Sequence, residues 1–121
     1  MSDLSNELLA YGIDYEDALG RMDGNADFYK QLASKYLDND QFDALAAALE
    51  VNDFDEAAKA SHALKGVAGN LSFVELYKAA TAINNALNQG EYQAAQELLP
   101  NIADAQQKVV EGLEAWNAGN L

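Results

Sequence analysis

Phe54, Ala57, Ser61, Leu64, Ala68 and Leu71 follow one another at steps of three and four residues, and no other feature constrains this chain as strongly. Such steps place all six on one stripe of an α-helix, and a stripe of that kind has to be covered by neighbouring elements. The same spacing recurs on both sides of it. Tyr15, Ala18, Leu19 and Met22 form one set, and Phe28, Tyr29, Leu32, Ala33, Tyr36 and Leu37 a second. Phe42, Leu45, Ala46 and Leu49 form a third, and Leu76, Ala80, Ile83 and Leu87 a fourth. The last, Tyr92, Ala95, Leu99, Ile102, Val109, Leu113 and Trp116, runs through Pro100, which predicts a kink or a break near Gln96 to Leu99. Many alanines and few β-branched residues leave no segment that reads as a strand. The expected fold class is therefore all-α: an antiparallel up-and-down four-helix bundle with additional short N-terminal helices.

Turn chemistry divides these patterns. Asp14 is placed to cap a short helix that Asp23-Gly24-Asn25 ends, and Asn25 to cap the next, which stops near Asp38-Asn39-Asp40. Asn52 suits a helix C-terminus, and Asp53 with Glu56 three residues on forms a capping-box arrangement. Asn70 and Ser72 close the central helix, and Asn88-Gln89-Gly90 the one after it. Residues 1–12 read as an N-terminal extension with a short helix from Leu4 to Ala10, and 13–121 as the bundle domain, with a loose tail from Asn117.

At 121 residues the chain suits one domain that folds without staples, and it contains no cysteine. No apolar run approaches the roughly 20 residues of a membrane span. The start, Met1-Ser-Asp-Leu-Ser-Asn-Glu, lacks the basic and apolar regions of a signal peptide, so a cytoplasmic protein is expected. A formal net charge of −13 argues against partners with a phosphate backbone or an anionic surface, which leaves no nucleic acid and no membrane among the expected partners. There is no Gly-rich loop ending in Lys-Ser/Thr to hold a nucleotide. Four stripes can bury one another within a single chain, so a monomer is expected.

Against this background His62, the only histidine, stands out. It lies beside the central stripe, and its helix neighbours on its own side are Ala58, Lys65 and Gly66, with Gly69 a turn further. Gly66 and Gly69 each cost a helix interior about 0.5–1 kcal/mol relative to Ala, and close approach of another molecule's backbone is one reason to accept two such losses within a turn. A lone histidine on a helix is most often an ordinary surface residue. Here the charge pattern argues otherwise: from Ala57 to Gly90 the one acid is Glu75, against Lys59, Lys65 and Lys78. An acid-poor clearing around one imidazole favours an anion.

The run His62-Ala-Leu64-Lys65-Gly66-Val-Ala68-Gly-Asn-Leu71 resembles the signature of histidine-containing phosphotransfer (HPt) domains, His-x-Leu-Lys-Gly-x-Ser/Ala-x-x-Leu-Gly. One position departs from it, since the family's closing glycine is Ser72 here. The order of helical segments from about Ile13 to Trp116 is also similar to the family's.

The resemblance implies a phosphorelay intermediate. His62 would accept a phosphoryl group from a receiver-domain aspartate and pass it to another, with Lys65, Gly66 and Gly69 meeting phosphate or partner. Asn84 holds the position of a family side chain that orients the imidazole. The implied partners are receiver domains of response regulators and of a hybrid sensor histidine kinase. The chain would be a carrier rather than an enzyme with its own ATP site, with no metal site or cofactor of its own and with Mg²⁺ held in the receiver. A rival reading is a helical module that docks on a receiver or kinase and regulates it without accepting phosphate. A carboxylate metalloprotein would need Glu-x-x-His pairs on two helices, and none exists.

Overall fold

The computed structural model describes residues 3–121, which form helices joined by short turns. Three short helices come first: α1 (Asp3–Ala10), α2 (Tyr15–Arg21) and α3 (Ala26–Lys35), the last prolonged by a 3₁₀ turn at Tyr36–Asp38. Four more follow: α4 (Gln41–Glu50), α5 (Phe54–Asn70), α6 (Val74–Asn88) and α7 (Tyr92–Asn117). The α4 helix packs on α5, α5 on α6 and α6 on α7, and α7 returns to touch α4.

The three turns between these four helices are built alike. Asn52, Ser72 and Gly90 adopt φ values of 59°, 59° and 74°, the left-handed conformation that ends a helix. In each turn the amide of the next residue reaches back into the last helical turn: Asp53 to the Ala48 carbonyl, Phe73 to Ala68 and Glu91 to Ala86, at 2.8, 2.9 and 2.8 Å. These bonds satisfy carbonyls that the helix leaves open. Turns so short return the chain against the helix it has just left, so consecutive helices are antiparallel neighbours.

The expected caps form. Side chains of Asp14, Asn25 and Asp53 accept from the amides of Asp17, Phe28 and Glu56. Glu56 itself pairs with Lys59 at 3.3 Å.

The core takes the predicted stripes with three corrections. Phe28, expected inside, is 49% exposed, because it lies in the first turn of α3 beside the line of Tyr29, Ala33 and Tyr36 that is buried. Tyr92, expected inside, is 42% exposed and stacks its ring on the half-buried Phe54, with centroids 4.1 Å apart. Nor does Pro100 break the last helix, since α7 is continuous from Tyr92 to Asn117. The proline is exposed, so its ring takes no place in the core, and the helix loses there only the bond that its missing N–H would have made to the Gln96 carbonyl. Buried Ala95 on one side and Ile102, Ala105 and Val109 on the other hold the helix to the core across it.

The short N-terminal helices belong to the same core. Leu8 of α1 is fully buried. Tyr15 and Tyr29 pack on Trp116 at ring distances of 5.6 and 6.2 Å, which joins α2 and α3 to the end of α7. The Tyr29 hydroxyl donates to the Leu71 carbonyl at 2.6 Å, and burial pushes its phenol well above the ordinary range, so it remains a donor.

A second attachment joins the N-terminal segment to the α5–α6 turn. The Asp14 amide donates to the Ser72 carbonyl and the Val74 amide to the Gly12 carbonyl, both at 2.9 Å, around an isolated antiparallel bridge between Ile13 and Phe73. The end of α5 is thereby fixed from two directions.

Candidate functional site

The buried face of α5 consists of Ala57, Ala60, Ser61, Leu64 and Ala68, four of them small, so α6 can lie close against it. The edge beside that face carries the candidate site. His62 and Gly66 are exposed, and Lys65 and Gly69 are half-buried along the line where α5 meets α6. No hydrogen bond from another described residue holds the imidazole.

The two glycines differ. A Cβ built on Gly66 would meet nothing within 4 Å, so its missing side chain leaves open surface beside His62. A Cβ on Gly69 would lie 3.2 Å from two ring carbons of Tyr77, so here the missing side chain makes room for an α6 aromatic ring. Gly66 is open to a visitor, whereas Gly69 is already in contact with its own chain.

Asn84 is placed otherwise than expected. It is 3% exposed, its amide nitrogen donates to the Ala58 carbonyl at 3.1 Å and to Ser61 Oγ at 2.9 Å, and its oxygen accepts from Asn88. A buried amide must use its donors and acceptors within the protein, and Asn84 does so by clamping α6 to α5. A side chain that short and that far inside is not available to phosphate or to a partner.

Beyond Lys65 and Gly66, toward the end of α5, the surface opens into a cleft of about 450 Å³ whose lining includes Lys65, Gly69, Tyr77 and Lys78. Asp17, Arg21 and Ser72 line it from the other side, and Gly66 also belongs to its wall, whereas His62 does not. Nothing in the spacing or charge pattern predicts α2 at this place. The signal that could have revealed it is Ser72, a non-glycine in the family's glycine position.

With φ at 59°, Ser72 sits in a conformation that costs an L-residue about 1–2 kcal/mol. Its hydroxyl donates to Asp17 Oδ2 at 2.6 Å, and Arg21 Nε donates to the same oxygen at 3.0 Å. These two bonds, with the Ser72 hydroxyl contributing most, hold the Asp17 carboxyl below its ordinary value of 3.8.

The ion pairs sharpen the electrostatic picture. Glu75 reaches Lys108 at 3.5 Å, and Glu56 offsets Lys59. Lys65 and Lys78 have no ion-pair partner among the described residues. In a chain of net charge −13, the neighbourhood of His62 and the adjoining cleft is thus locally cationic, a field that attracts anions.

Compared with known proteins, the chain matches the sequence model of one family, described as the Hpt domain, over residues 38–116. No curated protein and no solved structure matches it.

Proposed function

This chain belongs to the Hpt domain family, which serves histidine-containing phosphotransfer in two-component signalling, and from that premise we propose that His62 is the phosphoryl carrier. The observation that carries the reading is an exposed imidazole next to the open surface of Gly66, with no hydrogen bond to it and no ion-pair partner for Lys65 and Lys78 among the described residues. In the transfer, an unprotonated ring nitrogen attacks the phosphorus of a receiver's aspartyl phosphate. The N–P bond forms as the acyl P–O bond breaks, and the carboxylate leaves. The return step to a second receiver reverses these bonds.

Lys65, one turn along α5, is placed to meet the oxygens of a group that carries about −2 charge. Positioning and charge stabilisation supply most of the catalysis in such transfers. The chain brings the nucleophile and part of the positive charge, and the receiver is expected to bring the acidic pocket and its Mg²⁺. The partners so defined are receiver domains of response regulators and of a hybrid kinase. Asn84 has no direct part in this scheme, and its contribution is to keep α6 against α5.

The test is incubation with a panel of phosphorylated receivers, followed by assay for acid-labile, base-stable label on the protein. Label on the wild type and none on His62→Gln is the expected result. Label that persists on His62→Gln, or none under any pairing, would leave only the regulatory docking role.

A further inference from the structure

The cleft beside the carrier histidine draws one wall from α2, which lies outside the matched residues 38–116. Of seven basic residues in the chain, Arg21, Lys65 and Lys78 converge on it. The acid that lines it, Asp17, already accepts from both Ser72 and Arg21. Arg21 uses only Nε in that contact, and among the described residues nothing takes its two terminal nitrogens. The planar guanidinium is held at one edge and open at the other, the geometry that receives a carboxylate through paired hydrogen bonds.

His62 does not line the cleft, although its helix neighbours Lys65 and Gly66 do, so the cleft adjoins the ring; with Lys65 given to the phosphoryl group, Arg21 and Lys78 are left for another anion. We propose that Arg21, with Lys78, forms a second anchor that takes an acidic side chain of the docked receiver and so selects among receivers. This rests on the reading of His62 as a carrier for receivers. Charge complementarity argues for the occupant: a protein partner that meets a cationic cleft on an otherwise anionic body is drawn in by its own carboxylates. Asp17 and Ser72 are positioning residues, since they fix the guanidinium and touch no partner.

The experiment measures phosphotransfer against receiver concentration for the wild type, Arg21→Gln and Arg21→Glu, at low and high salt. Lys35→Glu, an exposed charge change on α3, is the control for net charge. Direct labelling by phosphoramidate, a donor that needs no docking, is run alongside, and thermal melts check folding. Loss of one partly exposed ion pair predicts a KM rise of about three- to five-fold for Arg21→Gln. Charge reversal predicts about tenfold or more for Arg21→Glu, with a weaker salt dependence. In both, the rate at saturating receiver and the phosphoramidate labelling stay within about twofold of wild type.

An unchanged KM in both variants, or an equal rise in Lys35→Glu, would overturn the proposal. So would loss of phosphoramidate labelling in Arg21→Gln, which would assign Arg21 to the phosphoryl group itself. If the wild type takes label from receivers and phosphoramidate while the Arg21 series is flat, this inference alone fails. If the wild type takes label from neither, the carrier reading fails and takes this one with it.

Discussion

Gly66→Ala should make this protein more stable and a poorer partner at once. Gly66 lies in the interior of α5, where the flexibility of glycine in the unfolded chain costs about 0.5–1 kcal/mol relative to alanine. The added methyl meets no heavy atom within 4 Å, so nothing in the folded state opposes that gain. For 121 residues the unfolding entropy near the midpoint is about 250 cal/mol/K, which turns the gain into a rise of about 2–4 °C in Tm. Followed by circular dichroism at 222 nm, a shift of that size is easily resolved.

The same methyl stands on the surface where a receiver must come close to His62. Overfilling a close-packed contact costs about 1–3 kcal/mol, so KM for a phosphorylated receiver should rise roughly tenfold while phosphoramidate labelling of His62 holds. Gly69→Ala is the matched comparison. Its methyl arrives 3.2 Å from the Tyr77 ring, which must yield, so no gain in Tm is expected. A destabilised Gly66→Ala, or one that accepts phosphate from receivers as the wild type does, would refute the reasoning from open surface.

Three further outcomes are expected. Asn84→Ala removes both donors that clamp α6 to α5 and should cost about 1–3 kcal/mol in urea unfolding, while His62 still takes label from phosphoramidate. Tyr29→Phe leaves the Leu71 carbonyl without its buried donor, and a loss of about 1–3 kcal/mol is expected by the same measurement. Ser72→Ala should be about 1–2 kcal/mol less stable than Ser72→Gly, because only alanine bears the left-handed cost. Since the Asp17 pKa is lower folded than unfolded, its contribution is present above about pH 4 and lost as pH falls through the folded value. The stability difference between wild type and Ser72→Ala should therefore narrow below pH 4 in acid titrations.

What was legible in the sequence was what local chemistry dictates. The stripe from Phe54 to Leu71, the caps at Asp14, Asn25 and Asp53, and the exposed edge carrying His62 and Gly66 all follow from period and turn residues. What was not legible depends on depth and on distant partners. Asn84 lies at the boundary between the buried and exposed sides of α6, and a shift of one position on a helix wheel separates a clamp from a contact. Tyr92 has the spacing of a core residue, yet it begins α7 at the end of the bundle, where one ring, Phe54, covers half of it. Pro100 reads as a break because the local rule carries no information on the buried contacts that hold both halves of α7 in line.

Ser72 shows how the part that local rules miss bears on function. Glycine would end α5 without strain and would make no side-chain contact with α2. Serine holds the same backbone shape at a cost, and its hydroxyl orients Asp17, which in turn orients Arg21 at the rim of the cleft. The backbone bonds of Asp14 to Ser72 and of Val74 to Gly12 fix the two segments in register, so the hydroxyl arrives at the carboxylate without a search. A residue that departs from the family pattern thus joins the N-terminal helices to the surface beside His62. A Ser72→Gly variant with unchanged stability but relaxed choice among receivers is what that linkage requires.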